Sequence, residues 1–158
     1  MSIDSVRRFF AANAPDIAVM EAEQSTATVA LAAAAFGVAP GQIAKTLSLR
    51  AGDCVFLLVT AGTARLHNGK AKAAFGGKTR MLAAHEVEAL TGHPVGGVCP
   101  FGLSTPLPIY CDVSLKAFDE VLPAAGSGNS AVRIRPLRLA QLVGAAWVDV
   151  CETGGAAG

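Results

Sequence analysis

Residues 43–62 read IAKTLSLRAGDCVFLLVTAG, and the architecture of the chain follows from this segment. Its first half alternates, with Ile43, Lys45, Leu47 and Leu49 on one face of a strand and Ala44, Thr46, Ser48 and Arg50 on the other. Gly52 and Asp53 supply a turn. The following CVFLLVTAG is almost continuously apolar, as expected of a central strand covered on both faces. Residues 43 to 61 therefore predict a β-hairpin. The same alternation places the Lys45 ammonium in an apolar row, where it costs free energy unless a partner or a cavity receives it. A lysine near a strand start can also carry its head to solvent over an apolar stem. The residues alone leave both readings open.

On the N-terminal side, DSVRRFFAAN (4–13) spaces Val6, Phe9 and Phe10 for a short amphipathic helix that ends at Asn13 to Pro15. Residues 17–22 predict a strand. Ser25, Thr26 and Thr28 offer caps to TVALAAAAFG, a second helix closed by Gly37 and Pro40. On the C-terminal side we expect helices over 70–75 and 85–90 and a strand over 79–82. Residues 92–108 hold four glycines and four prolines, which suits a shaped loop rather than a regular element. Strand candidates follow at 107–115, 116–122, 131–135 and 146–150. Pro136 opens a helix, residues 124–130 form a turn, and 153–158 form a loose tail. Strands outnumber helices and several are joined by short turns. The expected fold is α+β, one domain over residues 1–158 around a mixed sheet.

Composition narrows the functional classes. The chain has 158 residues, 52% of them hydrophobic and 16% charged, enough for one core without disulfides or metal. Alanine supplies roughly a fifth of the residues, so the core is built from small side chains. Thirteen basic residues against twelve acidic leave a net charge of +1, which gives no bulk-charge argument for nucleic-acid binding. Cys54, Cys99, Cys111 and Cys151 are far apart, with no zinc-site spacing, so we expect reduced thiols, no metal and no cofactor. No long apolar run suggests export or a membrane span, and the expected location is the cytoplasm.

Three further features invite chemistry. In GGVCPFG (96–102), Gly96, Gly97 and Gly102 can bring backbone N–H groups near a ligand or oxyanion, although glycine-rich loops are also simply tight turns. Cys99 in that loop is a candidate nucleophile that lacks a placed base: His85 and His93 are near in sequence, yet all three histidines read as surface or loop residues. The basic residues Arg65, Lys70, Lys72, Lys78 and Arg80 occur without an intervening acid. Arg133 and Arg135 share one strand face in a second cluster, and Arg138 follows. A phosphate-rich partner could use both clusters, and solvated faces would look the same.

Taken together, STATVALAAAAFGVAPGQIAKTLSL, LVTAGTARLHNGKAKAAFG, TGHPVGGVCPFGL and AAGSGNSAVRI resemble the YbaK/EbsC family, the prolyl-tRNA synthetase associated domain, over about residues 16 to 150. The resemblance implies a mixed, partly barrel-like sheet surrounded by helices. It also implies a trans-editing hydrolase that removes a wrong amino acid from the tRNA 3′ end, with alanine or cysteine on a proline tRNA the expected substrates. The implied partner is the acceptor end of tRNA, with prolyl-tRNA synthetase as a second candidate, and neither membrane nor DNA. Lys45 falls on the essential lysine of the family's K-[TS]-L motif, followed by Thr46. Gly96, Gly97, Val98, Cys99, Pro100, Phe101 and Gly102 fall on the G-G-x-x-P-x-G loop, which in the family holds the terminal adenosine and the ester. The resemblance places Gly126 and Ser127 beside the same pocket, with Met20, Ala27 and Phe36 as wall residues.

Two departures stand out. His67 replaces a usual Asp, and Cys99 replaces a usual Pro or Ser. The implied mechanism has Lys45 fixing a substrate oxygen, loop amides at Gly97 and Gly102 holding the oxyanion, and water as the nucleophile. The ribose 2′-hydroxyl or a substrate thiol could assist. The alternatives are a non-catalytic tRNA-binding module and a hydrolase that uses Cys99.

Overall fold

The hairpin forms the centre of the molecule. The computed structural model describes residues 2–152, and the tail expected over 153–158 lies outside the described residues. Along the chain come α1 (Ser2–Asn13), β1 (Met20–Glu21), α2 (Val29–Phe36), β2 (Ile43–Ala51), β3 (Cys54–Ala61), β4 (Arg65–Leu66), α3 (Asn68–Phe75) and β5 (Thr79–Met81). There follow α4 (Ala84–Thr91), β6 (Ile109–Asp112), β7 (Leu122–Pro123), β8 (Ser130–Ala131), α5 (Pro136–Val143), β9 (Ala146–Val148) and β10 (Cys151–Glu152). The fold is mixed α/β, a central sheet surrounded by helices.

Strands β2 and β3 pair antiparallel from Ala44↔Ala61 to Ala51↔Cys54 around the Gly52-Asp53 turn. The sheet runs β5-β2-β3-β6-β9, with β3, β6 and β9 parallel to one another, as the apolar character of β3 requires. Leu57, Leu58 and Val59 have no exposed surface, and each buried side chain of this kind contributes about 1.5–3 kcal/mol. One face of the sheet packs on α1 and α5 through Val6, Phe10 and Leu139. The other packs on Ala71, Val150 and Cys151 through Leu49 and Leu58. Among the described residues no helix is long and apolar enough to cross a membrane.

The outer edge of β2 is shared. Strand β7 pairs with it at Ile43–Ala44 and β5 at Leu49–Ala51, so the stretch between lies uncovered. The Ser48 carbonyl points to this edge, where it accepts from the Leu82 amide at 3.0 Å. Alternate residues direct their backbone groups to the same side, so the N–H and C=O of Thr46 face the gap. A sheet edge left open beside an apolar cluster is a natural place for a ligand.

Helix ends follow their local chemistry. The Thr28 side chain caps α2 by accepting from the Leu31 amide, and Gly37 ends the helix with φ +69°. His67 caps α3, its Nδ1 accepting from the Lys70 amide at 3.1 Å. The ring thus supplies the acceptor that an aspartate would offer at this position.

Several expected strands are shorter or absent. Of residues 116–122 only Leu122 enters a strand, β7: the Asp112 carboxylate accepts from the Ser114 amide at 2.9 Å and turns 113–117 into a 3-10 helix. Residues 131–135 contribute only Ala131 to a strand, then a single bridge between Ile134 and Val121. The strand expected over 146–150 ends at Val148, because the Val150 amide donates to Asp112 at 2.8 Å. Cys151 and Glu152 then pair with Leu66 and Arg65. The strand expected at 17–22 narrows to Met20–Glu21, which pairs with β8. His93 is a further correction, since it is fully buried rather than on the surface.

Candidate functional site

A cavity of about 180 Å³ opens at the uncovered edge of β2. Its lining comprises residues 26–29 and Ala32 at the start of α2, Ile43 to Thr46 of β2, Val95, Gly96 and Val98 of the glycine loop, and Leu122, Ala124, Ser130 and Ala131. The alanines and Gly96 keep it open: a Cβ on Gly96 would stand 2.8 Å from the Ala27 Cβ. Small side chains, conspicuous in the composition, thus line a space as well as fill a core.

Lys45 is the charged residue on this lining among the described residues. It projects from the Leu47–Leu49 face, opposite Thr60, and its Nζ donates to the Ala64 carbonyl at 2.7 Å. That bond uses one of three N–H donors and leaves two. Burial holds Lys45 below the ordinary lysine range. The nearby Arg65 guanidinium adds to that shift. The question left by the alternation is answered by geometry: the ammonium is partly buried and carbonyl-bound, on a residue that lines the cavity.

The loop expected to carry the site divides in two. Its first half lines the cavity through Val95, Gly96 and Val98, with Val95 63% exposed at the mouth. Its second half is anchored in the core: Cys99 and Phe101 have no exposed surface, and Pro100 is buried. The Phe101 ring packs on Phe10 with centroids 4.6 Å apart. Gly97 is buried, donates its N–H to Pro94 at 2.8 Å and accepts from the Gly126 amide at 3.1 Å. A Cβ there would lie 2.4 Å from the Ser127 nitrogen. Gly102 (φ +60°) and Gly126 (φ +95°) meet the first turn of α1, where a Cβ would stand 2.8 Å from Ser5 and from Ser2 respectively. The Ser5 hydroxyl donates to the Gly102 carbonyl at 3.2 Å, and the Ser2 hydroxyl to the Gly126 carbonyl.

Of the other expected site residues, Ala27 and Thr46 line the cavity. Met20 and Phe36 lie behind it, packed on the cluster of Ala32, Ile43 and Leu122 whose members form the wall. Ser127 borders it indirectly, its hydroxyl donating to Asn129 Oδ1 at 2.8 Å and lying in hydrogen-bond contact with the hydroxyl of the lining residue Ser130 at 2.7 Å.

The basic residues do not gather at one place. Arg65 is near enough to Lys45 to act on its charge. Lys70 pairs with Asp149 at 3.2 Å, while Lys72, Lys78 and Arg80 are exposed on α3 and around β5. Arg133 and Arg135 line a separate cleft with Asp16 and Glu120.

The structure places His93 against Cys99, Nε2 to Sγ 3.6 Å, a proximity that nothing in the sequence indicated. The pair is sealed in the core. Burial pushes the Cys99 thiol up to about 12 and holds His93 below its usual range, so neither is a ready thiolate or base at neutral pH. Among the described residues there is no cluster of three metal-ligating side chains.

Sequence reasoning missed Thr26. It read the residue as one of three possible caps, yet only Thr28 caps α2. Thr26 is 7% exposed, and its hydroxyl, like that of Thr46, is buried without a partner among the described residues. An unmade hydrogen bond of this kind costs about 1–3 kcal/mol.

Comparison with known proteins identifies the family. Residues 23–142 match the family described as aminoacyl-tRNA editing domain. The uncharacterized protein YwhH of Bacillus subtilis (strain 168) is 47% identical over 154 residues, 96% of this chain and 98% of that protein. A crystal structure of a candidate trans-editing enzyme for prolyl tRNA synthetase superposes with TM-score 0.88 at 36% identity, covering 96% of this chain and 97% of the other. The crystal structure of hypothetical protein APE2540 gives TM-score 0.86 at 32% identity, with 94% and 99% covered.

Proposed function

The chain belongs to the aminoacyl-tRNA editing domain family, and from that membership we propose that it hydrolyses the ester linking a wrong amino acid to the 3′-terminal ribose of tRNA. The observation that carries this reading is the Lys45 ammonium, held by the Ala64 carbonyl on a residue that lines a small cavity beside the open sheet edge.

In the reaction a water oxygen adds to the ester carbonyl carbon and the bond from that carbon to the ribose oxygen breaks. The proton from water ends on the leaving oxygen, giving a free amino acid and a tRNA 3′-hydroxyl. Lys45 offers its two remaining N–H donors to a carbonyl or phosphate oxygen of the substrate. Backbone donors at the cavity, the Thr46 N–H that faces the gap above all, hold the developing oxyanion. The amide of Gly97 is engaged with Pro94, so we assign Gly97 the role of joining the two loops and Gly102 that of seating α1. The acceptor end enters past Val95 and Arg65. The remaining exposed cations of the two basic clusters offer weak, transient contacts to phosphates.

The amino acid removed is small, of alanine or cysteine size, and the tRNA is a proline tRNA. A synthetase pocket sized for proline cannot firmly exclude smaller residues, because a missing methylene is worth only about 1–3 kcal/mol. A similar solved protein is a candidate trans-editing enzyme for prolyl tRNA synthetase, and we extend that association to this chain as a partner. The test is deacylation of a panel of tRNAs carrying wrong amino acids. Turnover of at least one ester supports the reading, whereas binding to all with turnover of none favours a tRNA-binding module.

A further inference from the structure

Resting on the deacylase reading, we infer that Ser114 is a positioning residue for Lys45: its hydroxyl fixes the turn at residues 61–64, whose last carbonyl holds the ammonium. The ladder between β3 and β6 explains why a side chain is needed there. The Leu57 amide donates to the Pro108 carbonyl at 2.9 Å, and alternate residues face the same neighbouring strand, so the Val59 and Ala61 amides also point toward β6. Beyond Asp112 the chain leaves the sheet for the 3-10 helix at Val113–Ala117. There the Ser114 hydroxyl accepts from the Ala61 amide at 3.1 Å, in place of a strand carbonyl. The Ala61 carbonyl accepts from the Ala64 amide at 3.1 Å, which closes the turn, and the Ala64 carbonyl accepts from Lys45 Nζ at 2.7 Å. Ser114, Ala61, Ala64 and Lys45 are thus joined in one run of hydrogen bonds.

The rest of the turn is held at its middle and its end. The Gly62 amide donates to the Gly41 carbonyl at 3.3 Å, and a Cβ on Gly62 would collide with the Pro40 carbonyl oxygen and stand 2.9 Å from the side chain of Val29. After the turn, β4 pairs with β10, and the His67 amide donates to the Val150 carbonyl at 2.8 Å. Ser114 secures the beginning. Without its hydroxyl the Ala61 amide, on a residue 3% exposed, has no acceptor, and the turn must shift to supply one. Such a shift reaches the ammonium through Ala64. Among the described residues, the titratable groups acting on Lys45 are Arg65 of β4 and Cys151 of β10, whose thiol is pushed up to about 12 and so is neutral. No carboxylate acts on it. The Ala64 carbonyl is therefore the contact that favours the charged form, and loosening it makes Lys45 give up its proton at a lower pH.

The experiment uses the full chain and two readouts: NMR titration of isotope-labelled lysine side chains, with Lys45→Arg identifying the Lys45 signal, and deacylation of the ester that turns over fastest. Ser114→Ala should move the Lys45 midpoint lower by about half a pH unit or more. It should also lower kcat by about 10-fold while KM stays within about 2-fold. Ser114→Thr, which keeps the hydroxyl, restores both. Ser114→Cys, whose sulfur is a weak acceptor, gives an intermediate midpoint. Added to Lys45→Ala, Ser114→Ala costs no further rate, because the two residues act as one unit, whereas a general structural defect would lower the rate again. A Lys45 midpoint unchanged in folded Ser114→Ala, or a full rate loss repeated in the Lys45→Ala background, overturns the inference and leaves the deacylase reading intact. Inactivity of the wild type on every ester overturns the deacylase reading, and the titration then decides by itself whether Ser114 sets the place of the ammonium.

Discussion

The Nζ of Lys45 donates to the carbonyl of Ala64 at 2.7 Å, which fixes a partly buried ammonium beside Thr46 at the open edge of the sheet. An ordinary lysine loses its proton near pH 10.4, and burial holds Lys45 lower.

The first prediction concerns pH. If the ammonium is the working form, deacylation persists below the depressed value and is lost as pH rises through it. After subtraction of spontaneous ester hydrolysis, the kcat/KM profile should therefore fall on an alkaline limb below the usual lysine range. Lys45→Arg, whose charge survives throughout, should abolish that limb even if it is slow. A limb unchanged in Lys45→Arg would assign it to another group.

A second prediction separates two neighbouring glycines. A methyl at Gly97 meets the Ser127 backbone at 2.4 Å, so Gly97→Ala must push two loops apart. We expect a loss of about 1–3 kcal/mol, read as a lower Tm. At Gly96 the neighbour is the Ala27 side chain at 2.8 Å, across the cavity wall. Gly96→Ala should lower kcat/KM by at least about 10-fold with a smaller change in Tm, since it narrows the cavity rather than wedging backbone apart.

The third prediction addresses Cys99. Its thiol is buried and pushed up to about 12, so Cys99→Ala should retain deacylation within about 2-fold. Stability should fall by about 1 kcal/mol for the small cavity left in the core. Loss of turnover in a variant with unchanged near-UV circular dichroism would return the thiol to the chemistry.

Asp112 supplies a fourth prediction, away from the reaction. It is buried, and its two oxygens accept from the Ser114 and Val150 amides. Each hydrogen bond to a charged group is worth about 1.5–3 kcal/mol, so Asp112→Ala should lower the urea midpoint sharply. Asp112→Asn, which keeps one acceptor, should recover part of the loss.

These residues also show where sequence reading succeeds. The hairpin was legible because alternation and a two-residue turn are local signals, and Lys45 stood out against an apolar row. The ends of α2 and the start of α5 were legible from Thr28, Gly37 and Pro136. The break at 113–117 was not, because it depends on one carboxylate capturing an amide two residues on. Short pairings such as Cys151 with Leu66 carry no periodicity at all. Within one glycine loop the sequence could not say which glycine borders the cavity and which joins two loops, since both need the same missing side chain. Thr26 was hidden for a related reason: cap and wall residues share a composition, and only the count of satisfied hydroxyls tells them apart.

The decisive comparison is the release of radiolabelled amino acid from mischarged tRNA by wild-type protein and by Lys45→Ala, at equal tRNA occupancy. We predict turnover of at least one small aminoacyl ester by the wild type and a loss of at least about 100-fold in the variant, the range of one electrostatic stabiliser of the transition state. Equal rates for the two proteins would contradict the role assigned to Lys45.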